Sequence, residues 1–111
     1  MFHKEVIEDL IPTKLNIIGR DVNIELVEDL QDKLGECHVE DCLIKLQKGQ
    51  QAQTGADTFL HECIHVIDER FQLNLTERQV YCTTVGLIAL LKDNPSMLQY
   101  LAQALLNKRI V

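Results

Sequence analysis

Apolar positions along this chain change their period once. Up to Gly49 they tend to recur at every second residue, and beyond it at every third and fourth. The first spacing belongs to strands and the second to helices. Leu15, Ile17 and Ile18 form a short apolar run, and Gly19-Arg20-Asp21 has the composition of a tight turn. Val22, Ile24 and Leu26 then alternate with Asn23 and Glu25, the mark of a half-buried strand. The stretch from Glu28 to Glu36 is acidic and polar and reads as an irregular connection. Cys37 and Val39 begin a third strand and Glu40-Asp41 can turn. Cys42, Ile44 and Leu46 alternate with Leu43, Lys45 and Gln47 as a fourth strand, which Lys48-Gly49 closes.

The second half reads as three helices. Gly55 and Asp57 precede the first, whose apolar face is Phe59, Leu60, Cys63, Ile64, Ile67 and Phe71, with Thr54 or Asp57 as its cap. Leu73-Asn74-Leu75 breaks the pattern. Thr76-Glu77-Arg78-Gln79 then has the form of a capping box, with Thr76 as N-cap and Gln79 at the third position. The helix that follows, 77–92, is expected to bury Val80, Thr84, Leu87, Ile88 and Leu91. Asp93-Asn94-Pro95 ends it, and Pro95 suits the start of a last helix. Met97, Leu98, Leu101, Leu105 and Leu106 form that helix's stripe, expected to pack on the other two helices, and Lys108-Arg109 suit its C-terminal end.

Composition narrows the function classes. The 111 residues allow one domain, 1–111, with one modest core. A net charge of −6 argues against a nucleic-acid partner, which needs a basic surface. Glu5, Glu8 and Asp9 interrupt the N-terminal stretch, so it does not read as a signal peptide. The longest apolar run, Val85 to Leu91, is too short to span a bilayer. A cytoplasmic protein with no membrane partner is expected. Cys37, Cys42, Cys63 and Cys82 form no C-x-x-C pair and are expected to be free thiols packed as small apolar groups.

One motif carries chemistry. Residues 61–65 read HECIH. On a helix, His61 and His65 share a face one turn apart, so two imidazoles can converge on one ion. Glu62, rotated by about 100°, cannot share that shell in the same way but can take a proton from water. Chance ordering of this composition gives such a motif in roughly one chain in a hundred, so context must separate the readings. Three features of that context favour a site: the amphipathic helix, the preceding strands, and Glu77, which begins the next helix in register with Val80, Tyr81, Thr84 and Ile88. His61, His65 and Glu77 would make a His₂Glu zinc set with an open fourth position. The plainer role for Glu77 is a first-turn acid that favours its helix N-terminus.

HECIH (61–65) followed by LTERQV (75–80) resembles the gluzincin metallopeptidases, particularly the minigluzincins and the ImmA/IrrE-like group. TFLHECIH (58–65) and LKDNP (91–95) also resemble a set of small phage-encoded metallopeptidase-like proteins. The resemblance covers roughly 14–106. It implies a zincin-like fold with the active-site helix first, His61, His65 and Glu77 as zinc ligands, and Glu62 as general base. These proteases also use a residue that stabilises the oxyanion. No motif fixes it here, and Tyr81, His38 and Arg78 are the candidates.

The expected architecture is α+β: a small antiparallel sheet of two hairpins, then three helices, with Zn²⁺ between the first and second. The expected function is zinc-dependent hydrolysis of a peptide bond, with a peptide or protein substrate held in extended form by the strand at 42–47. The alternative is a non-catalytic phage or bacterial accessory or regulatory protein whose metal site is structural or vestigial. Asp68 and Glu69 could orient a ligand histidine but read more simply as a solvated face. Cys37, His38 and Cys42 could hold a structural metal only with a further ligand.

Overall fold

The computed structural model describes residues 6–107. Its first hairpin joins β1 (Lys14–Ile17) to β2 (Arg20–Val27) through a two-residue turn at Ile18-Gly19. Both turn residues have positive φ, 51° and 83°, the twist that two-residue hairpins favour. Gly19 adopts it freely, and its N–H donates to Asn16 Oδ1 at 3.1 Å. Ile18 adopts it against its β-branch and is held by Arg70, which donates to its carbonyl at 2.8 Å. The turn therefore lies one residue before the expected Gly19-Arg20-Asp21.

β3 (Gly35–His38) and β4 (Leu43–Gln47) form the second antiparallel pair, joined by a 3₁₀ turn at Val39–Asp41 and a left-handed Cys42. The sheet order is β1-β2-β4-β3, and β2 pairs with β4 in parallel. Both expected hairpins are present, but the sheet is mixed rather than wholly antiparallel. Its geometry explains this. The connection 28–34 is too long for a tight hairpin and carries β3 two strand positions from β2, leaving a gap of one strand between them. The chain reverses again at 39–42, and β4 fills the gap running in the direction of β2. Gln47 fastens the connection, accepting from Leu30 N–H and donating to the Glu28 carbonyl, each at 2.8 Å. β3 is thus an edge strand and β4 a central one.

The class is α+β, with α1 (Ala52–Phe71), α2 (Glu77–Lys92) and α3 (Pro95–Leu106) following the sheet. Ile17, Val22, Ile24, Ile44 and Leu46 from the sheet bury Val66 of α1, with Phe59, Cys63 and Ile67 packed against them. Ile64, Val80 and Thr84 are buried outside that cluster, and α2 packs on α1. The expected face of α1 was too narrow. Thr58, Glu62 and Val66 are buried as well, whereas Phe71 is exposed. The helix also starts a turn earlier than expected, so Thr54 and Asp57 lie inside it rather than capping it. Gln50 takes over the fastening, accepting from Thr58 Oγ1 at 2.9 Å and donating to the Leu34 and Gln47 carbonyls at 3.0 Å each.

Beyond α1, Gln72 and Asn74 take left-handed conformations, and the Leu75 N–H donates to Asp68 Oδ1 at 3.2 Å. The Thr76 capping box forms in both directions: Gln79 N–H to Thr76 Oγ1 at 3.1 Å, and Thr76 N–H to Gln79 Oε1 at 2.8 Å. Its effect is to fix Glu77 as the first residue of α2. The last helix departs most from expectation. α3 packs on α2 and buries none of its residues, leaving Leu98, Leu105 and Leu106 exposed. Lys108 and Arg109 lie outside the described residues.

Replacing Ile44, which is completely buried, should separate core from periphery. Ile44→Ala is expected to cost about 2–5 kcal/mol in urea denaturation. Leu105→Ala, at a side chain 76% exposed, should stay within about 0.5 kcal/mol of the parent.

Candidate metal centre

α1 places His61 and His65 one turn apart, with ring centroids 4.9 Å from each other and planes inclined by 71°. α2 begins opposite them. Glu77 Oε1 lies 3.2 Å from His61 Nε2 and 3.2 Å from His65 Nε2. One ligand atom from each residue falls within 4.8 Å of the other two. Atoms bound at 2.0–2.1 Å around a tetrahedral zinc lie about 3.4 Å apart, so the spacing to Glu77 suits that geometry. The three residues form a group that could hold a metal ion. They are the set expected from the sequence, but Glu77 is not the inward-facing carboxylate that its register implies. Its side chain is 73% exposed and does not sit on the inward stripe with Val80 and Thr84. The capping box, not burial, brings it to the histidines.

Glu62 lies beside this trio and against β3. It is 7% exposed. Burial pushes its carboxyl above the usual carboxylate range; His61 opposes this, Glu77 and Glu36 reinforce it, and His38 opposes it. No hydrogen bond contributes to the shift. A carboxyl group this buried, with no hydrogen bond among the described residues, can exchange a proton with a group entering from the groove. β3 approaches closely because residue 35 is glycine. A Cβ there would lie 2.7 Å from Thr58 Cγ2 and 3.1 Å from Glu62 Oε2. Sequence reading placed Gly35 in a featureless acidic loop, and only the packing reveals what it does.

The groove runs between β3 and α2, with α1 as its floor. One half is lined by Leu34, Thr58, His61, Glu62, Tyr81 and Val85. The other is lined by Glu36, His38, Glu62, His65, Asp68 and Glu69. Lys33 and Gly35 border both halves. The strand at 42–47 cannot hold a substrate as expected, because β2 and β3 occupy both of its edges. The free edge beside the groove belongs to β3.

The remaining candidates divide. Tyr81 and His38 border the groove on opposite halves, whereas Arg78 lines neither. His38 meets Glu36 Oε1 at 2.9 Å, and Lys33 meets Glu36 Oε2 at 3.0 Å. Hydrogen bonds from Lys33 and His38 lower the Glu36 pKa. Asp68 holds the α1–α2 loop through Leu75, and Glu69 is exposed. Asp57, one turn before His61, has a buried Oδ1 with no hydrogen-bond partner; spacing from the motif could have drawn attention to it. Cys37, His38 and Cys42 do not gather into a metal-ligand group among the described residues. Burial pushes the Cys37 thiol up to about 12 and the Cys63 thiol to about 11, which fits packed thiols. No helix of the described residues is long and apolar enough to cross a membrane.

Comparison of the chain with family models, with curated proteins and with solved structures finds no match.

Two measurements check this geometry. Gly35→Ala should destabilise the fold by about 1–3 kcal/mol in urea, because Thr58 and Glu62 must move. In native protein at pH 8, well below its raised pKa, Cys37 should resist thiol labelling while exposed Cys82 reacts. Mass spectrometry of the labelled peptides reads the difference.

Proposed function

We propose that the protein is a metal-dependent peptidase, with zinc held by His61, His65 and Glu77. The observation that carries this reading is the convergence of both Nε2 atoms on Glu77 Oε1 at 3.2 Å, beside a buried glutamate that no hydrogen bond engages. The donor set, two imidazoles and one carboxylate, is the type that leaves a fourth position open. The resemblance of HECIH and LTERQV to gluzincins supports the same roles. A zinc ion there supplies Lewis acidity, acidifying water and polarising a carbonyl.

The chain's own residues do the rest. The free edge of β3 holds an extended peptide by main-chain hydrogen bonds, as exposed strands do for added strands. Glu62 takes the proton of the attacking water at its carboxylate and gives it to the leaving amine. Its raised pKa suits both transfers, since the group can hold the proton between them. Tyr81, at the groove's edge on α2, stands ready to donate to the oxyanion. Burial keeps Cys37 and Cys63 protonated, so neither suits the role of nucleophile.

Metal analysis of protein purified without added zinc should find about one equivalent. A His61→Ala/His65→Ala double variant should lose it. Glu62→Gln should retain the metal and reduce cleavage of a peptide library by about 10²–10⁴-fold. A metal-loaded wild type that cleaves nothing would leave the non-catalytic accessory role as the better account.

A further inference from the structure

The two halves of the groove are chemically unlike, and both run along α1. Lining residues extend from Thr54 at one end to Glu69 at the other. At about 1.5 Å per helical residue that is roughly 22 Å, room for about six or seven residues of extended peptide at 3.3 Å each. Glu62, more than nine-tenths buried and engaged in no hydrogen bond among the described residues, lies where the halves meet. The ligand group sits beside it, so the groove's two ends flank the point at which a bond would be cut.

The half toward the N-terminus of α1 is apolar in character. Leu34, Val85 and the Tyr81 ring supply its surface, with the methyl groups of Thr58 and Thr84. Val85 and Leu34 are exposed there, free to cover an incoming side chain. The polar members of this half are Lys33, Thr54, His61, Glu62 and Asp57, the last with one carboxylate oxygen sealed from solvent.

The half toward the C-terminus of α1 is acidic. Lys33 and His38 both engage Glu36, so those groups largely satisfy one another. Asp68 and Glu69 remain. Asp68 accepts a backbone N–H from Leu75. The last turn of α1 adds its own negative potential at that end. Arg70 follows in sequence but is directed to the Ile18 carbonyl on the β1–β2 turn.

We propose that the groove selects peptides carrying a large apolar side chain on one side of the cleaved bond and lysine or arginine on the other. This rests on the peptidase reading, and its test separates the two. The selection comes from burial of the apolar side chain against Leu34, Tyr81 and Val85, and from attraction of the cation to Asp68 and Glu69.

The experiment uses zinc-loaded full-length chain and seven-residue peptides that vary Leu, Ser, Lys and Glu on either side of the central bond. Cleavage is measured with the wild type, and binding by fluorescence anisotropy with Glu62→Gln. The apolar–basic pairing is expected to exceed the polar–acidic one by about tenfold, partly lost in high salt. Glu69→Lys should remove the preference for lysine and leave the preference for leucine; Val85→Glu should do the opposite. Cleavage without preference, or a preference that neither variant changes, overturns the inference and leaves the peptidase reading standing. Graded binding without any cleavage sustains the groove's preference as a binding preference and removes the peptidase reading. Neither binding nor cleavage overturns both.

Discussion

α1 must satisfy two packing partners with a single helical period, and the position of nearly everything else follows from how it does so. One face, through Phe59, Cys63, Val66 and Ile67, lies on the sheet. Another, including Ile64, is buried outside that core, on a helix that α2 packs against. Two buried faces leave little of the helix for solvent. The strip between them is where His61, Glu62 and His65 fall. The motif is therefore not an ornament on an exposed surface. It occupies the seam where sheet, α1 and α2 come together, and its side chains are oriented by packing on both flanks.

The seam stays open because two local devices hold its walls in place. On the sheet side, Gly35 lets β3 come down against Thr58 and Glu62 without collision. On the helix side, the Thr76–Gln79 capping box fixes where α2 begins, and Asp68 ties the preceding loop back to α1. Both devices determine whether the groups of the proposed chemistry can meet.

Much of this was legible in the sequence, and the misses have physical causes. Alternation at Val22, Ile24, Ile44 and Leu46 located the sheet core, since period 2 marks one buried face directly. The capping box was readable because both partners lie within four residues. The parallel pairing of β2 with β4 was not, because it depends on how the 28–34 connection crosses the sheet end, which no local pattern encodes. Nor was the exposure of α3. Its leucines have helical spacing, but spacing cannot say whether a partner surface exists. At the site, the motif pointed to His61 and His65, whereas the register offered for Glu77 does not hold and the capping box brings it to them. Gly35 and the free edge of β3 were not legible, since a glycine in a polar stretch looks the same whether or not a helix lies against it.

The contact of Glu77 with the two histidines has a consequence for the chain as a polymer. Residues 66–76 form a loop whose ends are His65 and Glu77. An ion bridging those ends would act as a cross-link, removing conformations from the unfolded chain much as a short covalent loop does. Occupancy of the centre would then be registered as mechanical continuity between α1 and α2, and through α2 to α3, which buries nothing of its own. The C-terminal third of the molecule would be fastened to the sheet more firmly as occupancy of the centre rises with the free concentration of the ion.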